Sequence, residues 1–138
     1  MFAIKCSFEK DSGTDAVDPL GDIELADDHS TILISKTYLD SWLDAMVGAI
    51  NQIRVGAGFQ ISVPEEPEPL HLSIGTDERI TIRFANKVVV ANDRGEFEKA
   101  LRDACTTFLR GVGSQDKSSR NPAIQRVRMF YESTANDW

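Results

Sequence analysis

The sequence predicts one α+β domain, in which an antiparallel sheet carries two long helices on one face as a two-layer sandwich. Short segments alternate apolar and polar residues with the period of a half-buried strand. Two longer segments repeat apolar residues every three or four positions, which is typical of amphipathic helices. The 138 residues match the size of one domain and can bury a core without disulfides. We therefore expect a single domain over residues 1–132, followed by a flexible tail over 133–138.

The first part of the chain predicts one strand and a hairpin. Residues 2–8 alternate apolar and polar side chains, and turn-forming residues over 11–21 indicate a loop. Two further alternating segments, 22–25 and 31–34, flank the sequence Asp-Asp-His-Ser at 27–30, which favours a turn. The two segments are therefore expected to pair with each other.

Residues 36–55 predict the first long helix. Its apolar residues recur at helical spacing along one face: Leu39, Leu43, Met46, Ile50 and Ile53. Thr37, with Asp40 three residues later, resembles a capping box at the start of this helix. Tyr38 and Trp42 begin a second apolar line beside the first, so the helix is either deeply buried or partly exposed to a partner.

The second half of the chain predicts more strands and a second long helix. Four short β-type segments indicate an antiparallel meander with one apolar face: 59–63, 70–74, 80–84 and 88–90. The second long helix is predicted over 93–112, with Asp93 and Glu96 as its cap. Residues 121–132 favour a short helix because Asn-Pro begins them, but their alternating apolar residues also fit a strand.

The charge of the chain is concentrated near its start. The net charge is −7, but residues 1–70 hold four basic and thirteen acidic residues, whereas residues 71–138 carry a net charge of +2. A field of this sign repels phosphate backbones, so we expect no nucleic-acid partner. It attracts a basic protein. The alternative is that these carboxylates only keep the surface solvated.

The expected location is the cytoplasm. The first residues lack a basic leader before an apolar stretch, and no apolar run approaches the ~20 residues that cross a bilayer, so we expect no membrane contact. Two cysteines do not make a disulfide framework. Cys6 and Cys105 are expected to be free, buried thiols, although a single disulfide between them stays open.

The chain carries no recognisable catalytic or cofactor motif. The glycines near residues 55–59 follow a helix and precede a strand, which is the wrong polarity for a phosphate loop. The only histidines, His29 and His71, lie outside any zinc or nucleophile–base pattern. We therefore expect no catalytic residues, no metal and no cofactor. One alternative stays open: His71 beside Arg83 on the open face of the sheet could serve an enzyme or a small-ligand-binding protein.

The segment from Ser35 to Asp44 reads Ser-Lys-Thr-Tyr-Leu-Asp-Ser-Trp-Leu-Asp and resembles small acidic bacterial toxin-immunity proteins. In many of these proteins an aromatic helix start follows an acidic strand, as Tyr38 and Trp42 here follow Glu24 and Asp27. The resemblance implies a non-catalytic protein that neutralises a toxin by binding it, commonly through an acidic surface that matches a basic nuclease.

These observations together predict a non-catalytic protein-binding module, an immunity or antitoxin type of antagonist with a basic protein as its partner. Aromatic side chains are favoured anchors of such interfaces, and loops rich in like charge attract a partner of opposite charge. The predicted partner-binding residues are Asp11, Asp15, Asp18, Asp22, Glu24, Asp27, Asp28, Tyr38 and Trp42.

Overall fold

The computed structural model describes residues 1–9, 19–52, 56, 58–64, 66–112 and 121–135. These residues form strands and helices in a mixed order, and every strand pairing among them is antiparallel. The predicted α+β class is therefore confirmed. The strands, however, form two sheets instead of the single sheet that the sequence predicts.

The first sheet contains three strands in the order β1-β2-β3. Its strands are β1 (Ala3–Phe8), β2 (Leu20–Ala26) and β3 (Thr31–Tyr38). Alternate residues of each strand are buried, so one face covers the core and the other meets solvent. The predicted first strand and hairpin are thus confirmed, and most of the predicted loop at 11–21 lies outside the described residues.

The strand β3 carries a bulge opposite Asp22. The pairing runs from Gly21 with Thr37 to Ile23 with Ile34, so Asp22 of β2 faces two residues of β3. Lys36 lies in this bulge with a φ of 54°, and its N–H donates to Oδ1 of Asp22 at 3.1 Å. Next to the bulge, a Cβ atom at Gly21 would collide with the backbone oxygen of Ser7, which explains why glycine stands there.

The second sheet contains four strands in the order β4-β5-β6-β7. Its strands are β4 (Gly58–Ile61), β5 (Leu70–Ile74), β6 (Ile80–Phe84) and β7 (Lys87–Ala91). Consecutive strands pair with one another, which confirms the predicted meander. The strands β3 and β7 lie next to each other, but no backbone ladder joins them.

The described residues form three helices: α1 (Leu39–Gln52), α2 (Arg94–Val112) and α3 (Pro122–Ala135). The first begins three residues later than predicted because residues 36–38 continue β3, and residues 53–55 lie outside the described ranges. The second begins after its predicted cap, Asp93, whose Oδ1 accepts the N–H of Glu96 at 2.8 Å.

The end of the chain settles the open choice between helix and strand in favour of a helix. Asn121 caps α3, because its Oδ1 accepts the N–H of Ile124 at 3.2 Å. The helix continues to Ala135, so the first part of the predicted tail at 133–138 is helical, and residues 136–138 lie outside the described ranges. This third helix packs against both α1 and α2 and has the length of α1, so the described residues form a third long helix in addition to the two expected.

One hydrophobic cluster joins the three helices to both sheets. The helix α2 packs against β1, where Phe2 stacks on Phe97 and Phe8 stacks on Phe108 with ring centroids 5.8 and 5.9 Å apart. The helix α1 contacts both β2 and β4, and so bridges the two sheets. The core therefore fixes how the outer faces of the two sheets are placed.

Trp42 is the largest side chain in this core and has a polar anchor. It is fully buried, and its ring meets Phe84 edge-on with centroids 5.0 Å apart. Its Nε1–H donates to Oγ1 of Thr37 at 3.0 Å, and that hydroxyl donates to Oε1 of Glu66 at 2.7 Å. The hydroxyl of Thr37 thus holds Trp42 instead of acting in the predicted capping box with Asp40.

Replacing Thr37 with valine should destabilise the protein by about 1–3 kcal/mol, because the buried indole N–H of Trp42 would lose its acceptor. The control Thr37→Ser keeps the hydroxyl and should cost less than about 1 kcal/mol. Urea unfolding followed by tryptophan fluorescence measures both. No loss of stability in Thr37→Val, or a loss smaller than that of Thr37→Ser, would contradict the role of the hydroxyl.

The two cysteines are free and buried. Burial raises the pKa of Cys6 to about 11 and that of Cys105 to about 12, and the nearby Cys6 adds to the rise at Cys105. The Sγ of Cys6 also lies 3.6 Å from the backbone oxygen of Ala104 as a weak donor. Of the two arrangements that the sequence left open, free thiols are the one observed.

The thiols of Cys6 and Cys105 should resist alkylation in the native protein. A thiol with a pKa of about 11 is only ~0.1% thiolate at pH 8, and the thiolate is the reactive form. We expect labelling at pH 8 to be at least ~100-fold slower than in guanidinium chloride, where unfolded cysteines have a pKa of about 8.5. Iodoacetamide labelling with mass spectrometry measures this. Rapid native labelling would contradict the burial of the thiols.

Candidate functional site

The outer face of the three-stranded sheet carries part of the predicted partner-binding set. We define the acidic face by its residues Lys5, Ser7, Asp22, Glu24 and Leu33, which line a shallow hollow of about 390 Å³. Glu24 lies between Lys5 on β1 and Leu33 on β3 in the strand register. Leu33 is 55% exposed, which is unusual for a large apolar side chain in a strand. Lys5 offsets part of the negative charge.

The turn between β2 and β3 holds two more predicted residues, and Asp27 has a structural role there. Its Oδ1 accepts the backbone N–H groups of His29 at 2.8 Å and Ser30 at 2.6 Å. Its Oδ2 accepts the N–H of Val90 in β7 at 2.8 Å. Asp28, by contrast, is exposed and forms an ion pair with the amino terminus. The carboxylate of Asp27 therefore closes the turn and ties it to the other sheet.

The hydrogen bonds of Asp27 also act on its ionisation. Burial by itself raises the pKa of the carboxyl, but the backbone N–H groups of His29, Val90 and Ser30, with the charge of His29, outweigh it. The net result is a pKa below the ordinary value. Since the folded protein favours the carboxylate, ionised Asp27 stabilises the fold.

Asp27→Asn should destabilise the protein by about 1–3 kcal/mol at pH 7, because an amide nitrogen cannot accept one of these N–H groups. The pKa of Asp27 is lowered by folding, so its contribution is present above about pH 4 and is lost as the pH falls through the folded value. The difference from the wild type should therefore shrink between pH 5 and about pH 3. Urea unfolding across this range measures it, with Asp28→Asn as the exposed control. A difference that does not change with pH would contradict the role of the ionised carboxylate.

The remaining predicted partner-binding residues have different outcomes. The prediction of Trp42 as a surface anchor is wrong, because its side chain has no solvent exposure and packs from α1 against Phe84 of β6. Tyr38 is half-buried at the end of β3, where it lies opposite Leu20. Asp11, Asp15 and Asp18 lie outside the described residues.

The outer face of the four-stranded sheet brings together the residues of the alternative hypothesis. His71 on β5 lies directly opposite Arg83 on β6, as the sequence predicts, and both side chains are exposed. The next outward pair is Ser73 opposite Thr81. With Gly58 and Gln60 of β4, these residues line a cavity of about 400 Å³, which we call the sheet hollow.

The sheet hollow is rich in hydrogen-bond donors and lacks a carboxylate. Within the described part of the chain, the guanidinium of Arg83 makes no ion pair or hydrogen bond. Its guanidinium presents donors in a fixed fork that matches a carboxylate or phosphate. The chemistry available there is the binding of an anionic group.

A third cavity lies between α1, α3 and the end of β4, and the sequence did not indicate it. It has a volume of about 590 Å³, and we call it the helix groove. Its apolar lining includes Ala45, Val47, Ile61 and Phe130, and Met129 is 69% exposed beside it. The groove exists only because α3 crosses α1, and no local pattern in the sequence specifies that crossing.

The charged residues of the helix groove neutralise each other. Arg126 donates from Nε and Nη2 to the two carboxylate oxygens of Asp44, each at 2.7 Å. This hydrogen-bonded contact, with the charge of Asp44, raises the pKa of Arg126 above its ordinary value. The groove therefore offers an apolar surface with no charge in need of a partner.

Gly48 forms part of the helix groove in the middle of α1. Glycine costs about 1 kcal/mol relative to alanine in a helix interior. A Cβ atom here would meet only Cδ1 of Ile61, at an ordinary contact distance of 3.7 Å. Packing therefore does not require a glycine, and its observed effect is a wider groove.

Within the described ranges, no three His, Cys, Asp or Glu side chains gather as metal ligands. None of the helices in the described ranges has both the length and the apolar character needed to cross a bilayer. Comparison of the chain with protein-family models, with curated proteins and with solved structures finds no match.

Proposed function

We propose that the protein is a non-catalytic protein-binding module that antagonises a basic protein partner in the bacterial cytoplasm, as immunity proteins and antitoxins do. The observation that carries the proposal is Leu33, an exposed leucine on the acidic face with the carboxylate of Glu24 opposite it. An exposed apolar side chain with charged neighbours is an arrangement that protein interfaces use.

The two kinds of side chain on the acidic face have separate tasks. Burying Leu33 against a partner would contribute roughly 1–2 kcal/mol, which acts on how long the complex lasts. Asp22 and Glu24 are half-buried on the middle strand β2, and charges of this kind act mainly on the rate of encounter. The exposed Asp28, in the turn before β3, and the half-buried Tyr38, at the end of β3, extend the proposed surface beyond the hollow.

A second candidate function is an enzyme or small-ligand-binding protein that uses the sheet hollow. It is favoured by the direct pairing of His71 with Arg83 and by the open guanidinium of Arg83. A ligand there would be a small anion. Native mass spectrometry of the protein purified from its source would favour this candidate if it showed a bound anionic metabolite that Arg83→Gln removes.

Removal of the charges of Asp22 and Glu24 should slow association with the partner. In Asp22→Asn with Glu24→Gln, the association rate should fall about tenfold at low salt. The two proteins should associate at the same rate near 0.5 M salt, because the salt screens the attraction between the charged surfaces. Leu33→Ser should instead speed dissociation. Surface plasmon resonance measures both rates on the partner captured from source cells and identified by mass spectrometry.

The matched control is Asp103→Asn with Glu132→Gln, which removes the same charge from exposed positions on α2 and α3. It should leave both rates unchanged within about twofold. If the control slows association as much as the acidic-face variant, net charge and not this surface attracts the partner. If neither rate changes in any variant, the acidic face is only a solvated surface.

A further inference from the structure

The strand β4 is an edge of its sheet. It pairs with β5 on one side, and no strand among the described residues pairs with its other side. Gly58 and Gln60 are exposed, so the strand is open to solvent on its outer face. An edge strand presents backbone N–H and C=O groups that can pair with an extended segment of another chain.

This edge separates the two cavities described above. Ile61 points inward and lines the helix groove, whereas Gly58 and Gln60 point outward and line the sheet hollow. Successive side chains of a strand point to opposite faces. A segment that extends the sheet at β4 would therefore direct its side chains alternately towards the groove and towards the hollow.

The helix groove and the sheet hollow are suited to different side chains of a bound segment. The helix groove is apolar, and its charges, Asp44 and Arg126, already satisfy each other. The sheet hollow contains the open guanidinium of Arg83 beside His71 and no carboxylate. The matching segment has apolar side chains on its inward positions and acidic side chains on its outward positions.

We propose that the edge of β4 binds an extended segment of a partner protein in which apolar and acidic residues alternate. A second copy of β4 does not fit this description, because its outward positions, Gly58 and Gln60, carry no acid for Arg83. Gly48 gives the apolar side chains room, since no packing contact requires a glycine in α1. This site is independent of the acidic face, which lies on the other sheet.

The probe is an acetylated, amidated eight-residue peptide that alternates valine and glutamate, added to the full-length protein. Two control peptides replace glutamate with lysine, or keep the composition but place the valines in one block. Fluorescence anisotropy measures binding, and hydrogen exchange with mass spectrometry locates it. The alternating acidic peptide should bind at least tenfold more tightly than either control and should slow amide exchange in β4.

Two variants test the two cavities separately. Arg83→Glu reverses the charge of the sheet hollow, and Gly48→Leu fills the helix groove; each should weaken peptide binding at least tenfold. The controls are Arg110→Glu, an exposed charge reversal on α2, and Gly48→Ala, which leaves most of the groove open; both should bind as the wild type does. If Gly48→Leu fails to fold, Arg83→Glu and the control peptides still test whether the edge of β4 binds the alternating acidic segment.

Several results would overturn the proposal. Equal binding of the lysine peptide would show that the positive charge of the sheet hollow does not select acidic side chains. Binding without slower exchange in β4 would mean that no strand is added. Inorganic phosphate binding at Arg83, with no binding of the alternating peptide, would leave an anion site only. Sedimentation that shows a dimer with protected β4 amides would assign the edge to a second copy. Loss of basic-partner binding by the acidic-face variants leaves this test untouched.

Discussion

The carboxylate of Asp27 is the polar contact that ties the two sheets together at the turn between β2 and β3. It accepts two N–H groups of its own turn and one from Val90 on β7, so this side chain joins the two sheets where no backbone ladder links β3 to β7. Below it, α1 contacts both β2 and β4 and holds the sheets from the core side. The acidic face and the sheet hollow lie on different sheets. The contacts of Asp27 at the turn and of α1 in the core therefore hold the two surfaces in place relative to each other.

Several carboxylates of the acidic first part of the chain are already bonded within the protein. Asp27 is occupied by backbone donors, Asp28 by the amino terminus, and Asp22 by the N–H of Lys36 at the bulge. The same residues that give the front of the chain its charge thus also build turns and strand irregularities. What is left for a partner is the outer rim of these carboxylates and the exposed Leu33 between them, a smaller and more defined surface than a run of like charges.

Local periodicity predicted the elements well, whereas contacts between distant parts of the chain escaped it. The alternation at β1, β5 and β6 and the helical spacing in α2 follow from which side chains face the core, so the sequence carries them directly. The spacing of Thr37 to Asp40 predicts a helix cap, but the hydroxyl of Thr37 bonds to Glu66 and Trp42 instead. The division into two sheets follows from the missing ladder between β3 and β7, and the helix groove follows from the packing of α3 on α1; both are tertiary features without a local signature.

The His71–Arg83 pair shows how far a sequence can lead towards a site. Their facing positions follow from strand register, which the turn at 75–78 and the apolar alternation specify together. The neighbouring edge of β4 could not be inferred, since an edge is defined by the absence of a pairing strand among all the others. Because that edge lies between a donor-rich hollow and an apolar groove, its recognition properties arise from three elements that are far apart in the chain. A strand added there would be selected by its backbone, by its apolar side chains and by its charge at once, and a ligand that satisfies only one of these would bind weakly.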